Sequence, residues 1–363
     1  MNYLFAIKTA VIIFPILSLL ITGPFILYQY HKFASIEPLK TIIIYSFIFY
    51  LLCAYFLVIL PLPKVDDVIN NPDWMIQGIP FYFIVSFFKE TPLVLSRPST
   101  YLKTIFHPSF YVVFFNILLF VPLGMFLRYY KGYSLKKVIR SSLLLSLFFE
   151  FTQLTRLYGI YPKPYRLCDI DDLILNTIGG VVGYLFMLDL ENVLPKVEKL
   201  EALAYKKGED ISFLRRLTLF FLDLFLYGIF LLFTKGNPYL AFIIYFTVIP
   251  IFYQNKTLGS SFLNIKFVKT KNTILYYFRP YFIFFYYLLL PYGIFFAATM
   301  IGKCISNVNL AISFYLFVAI GVFLFYIINI FLLVIHKSRF YDIIFFTKLE
   351  STIKEKIKYR SKK

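Results

Sequence analysis

Carboxylates gathered at the mouth of an apolar run are the side chains best placed to do chemistry in this chain. Arg166 to Tyr184 reads R-L-C-D-I-D-D-L-I-L-N-T-I-G-G-V-V-G-Y, and Asp169, Asp171 and Asp172 open it. Glu150 interrupts a second apolar run, with Gln153 and Arg156 just after it, and Asn116 interrupts a third. Carboxylate oxygens are hard ligands of the kind Mg or Ca takes, and Glu150, Asp169 and Asp172 are the candidate set. Arg156 and Arg166 suit bidentate contacts to phosphate or carboxylate. Taken together these groups predict a pocket for an anionic head group, and Glu150 would also serve a proton relay. A plainer reading competes. Asp169 is a natural helix N-cap, and Asp171 and Asp172 fall in the first turn, where negative charge complements the helix dipole. Capping does not explain Glu150, whose structural alternative is an ion pair with Arg156 or Arg166.

The elements that must position these groups are membrane-spanning helices. On one helix Asp169, Asp172 and Asn176 share a face. Gly179, Gly180 and Gly183 continue near it, where small residues admit another helix backbone, so the polar face turns into a bundle. The chain is 60% hydrophobic and 15% charged, in blocks long enough to cross a bilayer, which excludes a soluble domain. The expected fold class is all-α: a polytopic integral membrane protein with about nine transmembrane helices in two helical bundles. The spans fall near 7–28, 41–60, 110–128, 139–157, 170–188, 214–234, 238–254, 279–302 and 309–335. With a rise of 1.5 Å per residue, Asn116, Glu150 and Asn176 all come out roughly 10 Å below one membrane face.

Between the second and third spans, Ile79 to Phe88 is apolar but too short to cross, as a re-entrant or interfacial piece would be; Trp74 lies just upstream. Residues 189–213 read as a charged linker between a first domain (1–188) and a second (214–335), and 336–363 as a basic tail. Most of the 37 Lys and Arg fall in segments that are cytoplasmic if the N-terminus is outside and the C-terminus is inside. The net charge of +18 then reflects topology and anionic lipid, with no nucleic acid as partner. Three cysteines without a C-x-x-C indicate neither a disulfide framework nor a thiolate metal site. No H-E-x-x-H, G-x-S-x-G, Walker or Rossmann motif is present, so no established catalytic motif marks an enzyme.

Asn116 to Gly124 (N-I-L-L-F-V-P-L-G), Glu150 to Gln153 (E-F-T-Q) and the aspartate run resemble the VanZ-like membrane domain, preceded by a similar Pro-Phe segment, I-P-F-Y-F-I. The resemblance covers roughly residues 40–188. It carries over to Asn116, Pro122, Gly124, Glu150, Gln153, Arg166, Asp169, Asp171, Asp172, Asn176 and Gly180. It implies a bacterial cytoplasmic membrane protein of the cell envelope, in a family named for a protein linked to resistance to teicoplanin, a lipidated glycopeptide. The partners it suggests are membrane lipids and a lipid-linked cell-wall precursor or lipoglycopeptide. A proton- or cation-coupled transporter or flippase, and a Mg-dependent enzyme acting on a lipid phosphate, are the alternatives.

The second domain resembles an RDD domain. Phe213 to Leu226 matches its opening, with Arg215 or Arg216 as the arginine and Asp223 as an aspartate; Asn255 to Val268 is similar to its cytoplasmic segment, with Ser260 where a lysine is common. Asp223 falls about 13 Å inside its span, where a carboxylate needs a partner such as Arg279 or Asn329, or a proton.

Overall fold

A computed structural model describes residues 3–70, 76–254, 256–271, 274–335 and 340–354. Trp74 and the tail residues 336–339 and 355–363 lie outside the described residues. The long helices are α1 (Tyr3–Phe33), α2 (Pro38–Ile59), α3 (Tyr82–Glu90), α4 (Pro108–Lys131), α5 (Leu135–Leu154) and α6 (Ile170–Leu190). They continue as α7 (Val197–Lys207), α8 (Phe213–Phe233), α9 (Pro238–Phe252), α10 (Arg279–Lys303) and α11 (Val308–Ile335). The fold is that of an all-α polytopic membrane protein.

Seven of these helices, among the described residues, are long and apolar enough to cross a membrane: α1, α2, α4, α6, α8, α10 and α11. The two others expected to span fall short for different reasons. α5 has 20 residues but carries Lys136, Lys137, Arg140 and Glu150. α9 has 15 residues. π-helical turns over Ile244–Val248 in α9 and Phe285–Leu289 in α10 have a shared cause. Pro250 and Pro291 offer no N–H to the carbonyls four residues back, Phe246 and Tyr287, and the helix widens there.

The chain forms two compact units. The first comprises the residues up to Gly23 and Glu37–Glu201; the second comprises Pro24–Ile36 and the residues from Ala202 on. In the first, Ala54, Phe120, Leu123, Leu127, Val138 and Phe149 form the main apolar cluster. α4 starts on Pro108 behind the His107 side chain, which accepts from the Ser109 N–H, and ends at Gly132 in the left-handed region. α6 lies backbone to backbone on α4. A Cβ built on Gly179 or Gly183 would come 2.0 Å from the Ile117 or Val121 carbonyl oxygen, so only glycine permits this approach. Strands β1 (Ile76–Gln77) and β2 (Cys168–Asp169) pair in parallel, Ile76 with Cys168 and Gln77 with Asp169.

In the second unit, Tyr30, Leu219, Leu263 and Ile265 form the buried cluster. β3 (Ile265–Lys269) pairs antiparallel with β4 (Thr347–Ser351). The tail beyond the last span, expected as a basic extension, thus contributes a strand.

Candidate functional site

Each carboxylate of the aspartate run has a separate partner. Asp169 caps α6, its Oδ1 accepting from the Asp171 N–H at 2.8 Å and from Gln77 Nε2 at 3.2 Å. Asp171, only 3% exposed, accepts from the Phe81 N–H at 2.6 Å and the Phe83 N–H at 2.8 Å. Those amides open α3, where a carboxylate complements the dipole, so one side chain on α6 fixes the start of a helix ninety residues earlier. Asp172 accepts from the Asn116 amide of α4. Glu150 accepts from the Asp169 N–H at 3.0 Å and from the Cys168 thiol. Burial, then the Glu150 charge, pushes the Cys168 thiol up to about 12. Burial also raises Asp169 above the usual carboxylate range, against the opposing Asp171 N–H bond.

The structure joins Asn116, Glu150, Asp169, Asp171 and Asp172 in one hydrogen-bonded and electrostatic cluster, with Arg166 in electrostatic reach of Asp172. It separates the levels that equal depth had predicted. Asn176 donates to Ser146 Oγ at 2.9 Å, one turn deeper than Glu150 on α5. α5 ends at Leu154, so Glu150 lies about 6 Å from its end, beside the mouth residues of β2. Both arginines donate to main-chain carbonyls. Arg166 donates to the Val58 and Leu60 carbonyls at 2.6 and 2.8 Å, closing the end of α2, and Gln153 donates to the same Val58 oxygen. Arg156 is exposed and donates to the Pro162 carbonyl at 3.0 Å. The ion pair of Glu150 with either arginine is replaced by main-chain and thiol contacts.

Among the described residues no three His, Cys, Asp or Glu side chains converge as metal ligands. The proposed Mg or Ca set of Glu150, Asp169 and Asp172 is spent instead on Asp169 N–H, Asp171 N–H and Asn116. Ser142 and Ser146, both buried on α5, carried a signal in the sequence that the carboxylates overshadowed: Ser142, Ser146 and Glu150 recur every four residues, on one helix face. Gln77 and Cys168 carried no comparable signal, because their roles arise from a pairing between distant segments.

The second unit holds a different cluster. Asp223, expected to meet Arg279 or Asn329, accepts from Tyr245 Oη at 2.7 Å and Thr257 Oγ1 at 2.9 Å. Arg279 pairs with Asp342 at 2.6 Å over the Phe267 ring, and Asn329 accepts from Tyr287. Arg216 is buried within electrostatic reach of Asp342. Arg215, with no exposure, donates to the carbonyls of Leu263 (2.9 Å), Gly208 (2.9 Å) and Asn264 (2.5 Å) and to Ser351 Oγ (3.1 Å). Tyr245 sits in the π turn of α9, which the sequence did not disclose.

Comparison with known proteins adds one finding. No curated protein and no solved structure matches the chain. The region that carries the carboxylate cluster, residues 47–191, matches the family model described as VanZ/LLP1, so this part of the chain is similar to that family.

Proposed function

We propose that the VanZ-like domain binds a lipid-linked or lipidated ligand of the cell envelope, through Asn116 and Asp172 at the outer leaflet of the bacterial cytoplasmic membrane. By this binding the protein raises tolerance to glycopeptides of the teicoplanin type. The observation that carries the reading is the Asp172–Asn116 pair. It is the one member of the cluster in which a carboxylate meets a side chain and no main-chain amide, so it can exchange partners without undoing a helix start. A carboxylate and an amide suit a head group rich in hydroxyl or amine donors. The anionic head group inferred from Arg156 and Arg166 has less support, since both guanidinium groups are directed at carbonyl oxygens. The second unit, RDD-like in its Arg215 and Asp223, is proposed as a scaffold. Its arginine binds main chain, and its aspartate is tied to the Gly259 main chain as well as to two hydroxyls.

Teicoplanin tolerance of a deletion strain complemented with wild type, Asp172→Asn, Asn116→Ala or Glu150→Gln tests the proposal. The first two variants should fall to the level of the deletion while membrane abundance stays normal. Glu150→Gln, which keeps an acceptor for the Asp169 N–H, should retain part of the tolerance. Wild-type tolerance in all three removes the cluster from the mechanism.

A further inference from the structure

A slot of about 290 Å³ lies between α3 and α4. Its walls are Phe83, Ile84 and Phe87 on α3 and Phe110, Val113 and Ile117 on α4. Two polar ties hold those walls apart. Asp171 fixes the first turn of α3 through the Phe81 and Phe83 amides, and Glu90 at its last residue accepts from Ser109 in the first turn of α4. Near that second tie the Phe87 and Phe110 rings meet, 6.2 Å between centroids. α3 is therefore propped at both ends against neighbours, with an apolar gap under its middle, and it buries none of its own residues.

The slot is a half-open groove and not an interior void, and its almost wholly apolar walls offer water no hydrogen-bond partner. A gap of this size and lining calls for an apolar filler that is not protein. α4 is long and apolar enough to span a membrane, and Phe114, Ile84 and Phe88 beside the slot are exposed, so the surrounding medium is hydrocarbon. At roughly 30 Å³ per water-sized unit the slot takes about ten such units, the bulk of one chain segment and too little for a pair.

We infer that the slot between α3 and α4 seats one acyl chain of a membrane phospholipid, drawn from the leaflet in which α3 lies. The seat is independent of the tolerance reading. Leaving bulk lipid for an apolar groove gains little hydrophobic energy, so the preference comes from shape: four phenylalanine rings (Phe83, Phe87, Phe110 and Phe114) and three branched side chains line the seat, its helix fixed in place by Asp171 and Glu90.

Photo-crosslinking of the full chain in nanodiscs of phosphatidylglycerol and phosphatidylethanolamine, doped with a phospholipid bearing a diazirine on one acyl chain, tests this. Label should concentrate several-fold on residues 83–87 and 110–117 over the exposed face of α11. Val113→Trp and Ile84→Trp, which fill the slot from opposite walls, should each reduce that label several-fold, whereas Leu144→Trp on the exposed face of α5 should not. A variant counts only if its thermal unfolding in detergent matches wild type, and Ile84, being exposed, tolerates the change best. Even labelling of α4 and α11, or slot labelling that survives both tryptophans, overturns the inference.

Discussion

The carboxylate cluster of the first unit and the arginine of the second solve one problem with opposite charges. Asp169, Asp171 and Glu150 collect main-chain N–H groups from α3, β2 and the start of α6. Arg215 collects main-chain carbonyls from two separate segments, Gly208 and Leu263–Asn264, and the Ser351 hydroxyl from a third. In both, a charged side chain joins pieces of backbone far apart in sequence, and an unmet backbone group is what each prevents. They differ in completeness. Arg215 has no exposure and its donors are engaged, whereas the carboxylates have in Asp172 a member held by a side chain alone. A charged group anchored chiefly by main chain is architecture; one such as Asp172, held by a side chain alone, has something to exchange.

The sharpest way to break this comparison is Arg215→Met. It leaves the Leu263, Gly208 and Asn264 carbonyls without their donor, and should cost about 3 kcal/mol or more in thermal unfolding of the purified protein. Arg215→Lys should recover little of it, because an ammonium cannot reproduce the planar fork. An unfolding midpoint close to wild type for either variant would show that the carbonyls find other donors.

A smaller effect is expected at Asp171. Asp171→Asn keeps one acceptor oxygen for two amides and should cost about 1–2 kcal/mol. The loss should appear locally, as faster proteolysis within residues 76–91 with the rest of the chain still protected. Global loosening would mean that the tie supports more than α3.

The smallest effect belongs to Asp169. Burial raises its ionisation above the ordinary carboxylate range, so the folded state binds this proton more tightly than the unfolded state does. The stability it contributes is complete below about pH 4 and is lost as the pH rises through the raised value. Asp169→Asn keeps the N-cap acceptor and removes the ionisation. Its unfolding midpoint near pH 7 should equal or exceed that of wild type, with a flatter pH profile; a clear loss at neutral pH would make the Asp169 charge a stabilising element.

Much of this architecture was legible in the sequence because bilayers impose simple rules. Apolar blocks gave the helices, and the short apolar piece at 79–88 falls on a helix of nine residues. Gly179 and Gly183 announced a close neighbour before that neighbour was known. The aspartates were legible as a group but not as individuals. Composition says that a buried carboxylate needs a partner; only the fold says whether that partner is an amide, a thiol or an asparagine. Asp223 shows the limit most clearly. Its nearest plausible cation by composition was Arg279, which instead pairs with Asp342, on a segment beyond the last span.

The pairing of β3 with β4 has a consequence in time. β3 lies between the helices of the second unit, but β4 is made only after the last of them has been translated. Until residues 347–351 leave the ribosome, Ser351 is missing from the Arg215 contacts and β3 has an open edge. Each nascent chain therefore passes through a stage in which every span has been synthesised while this part of the unit is still unfinished. A premature stop there would yield a product that inserts into the bilayer but bears the exposed edge by which proteases and chaperones recognise incomplete work.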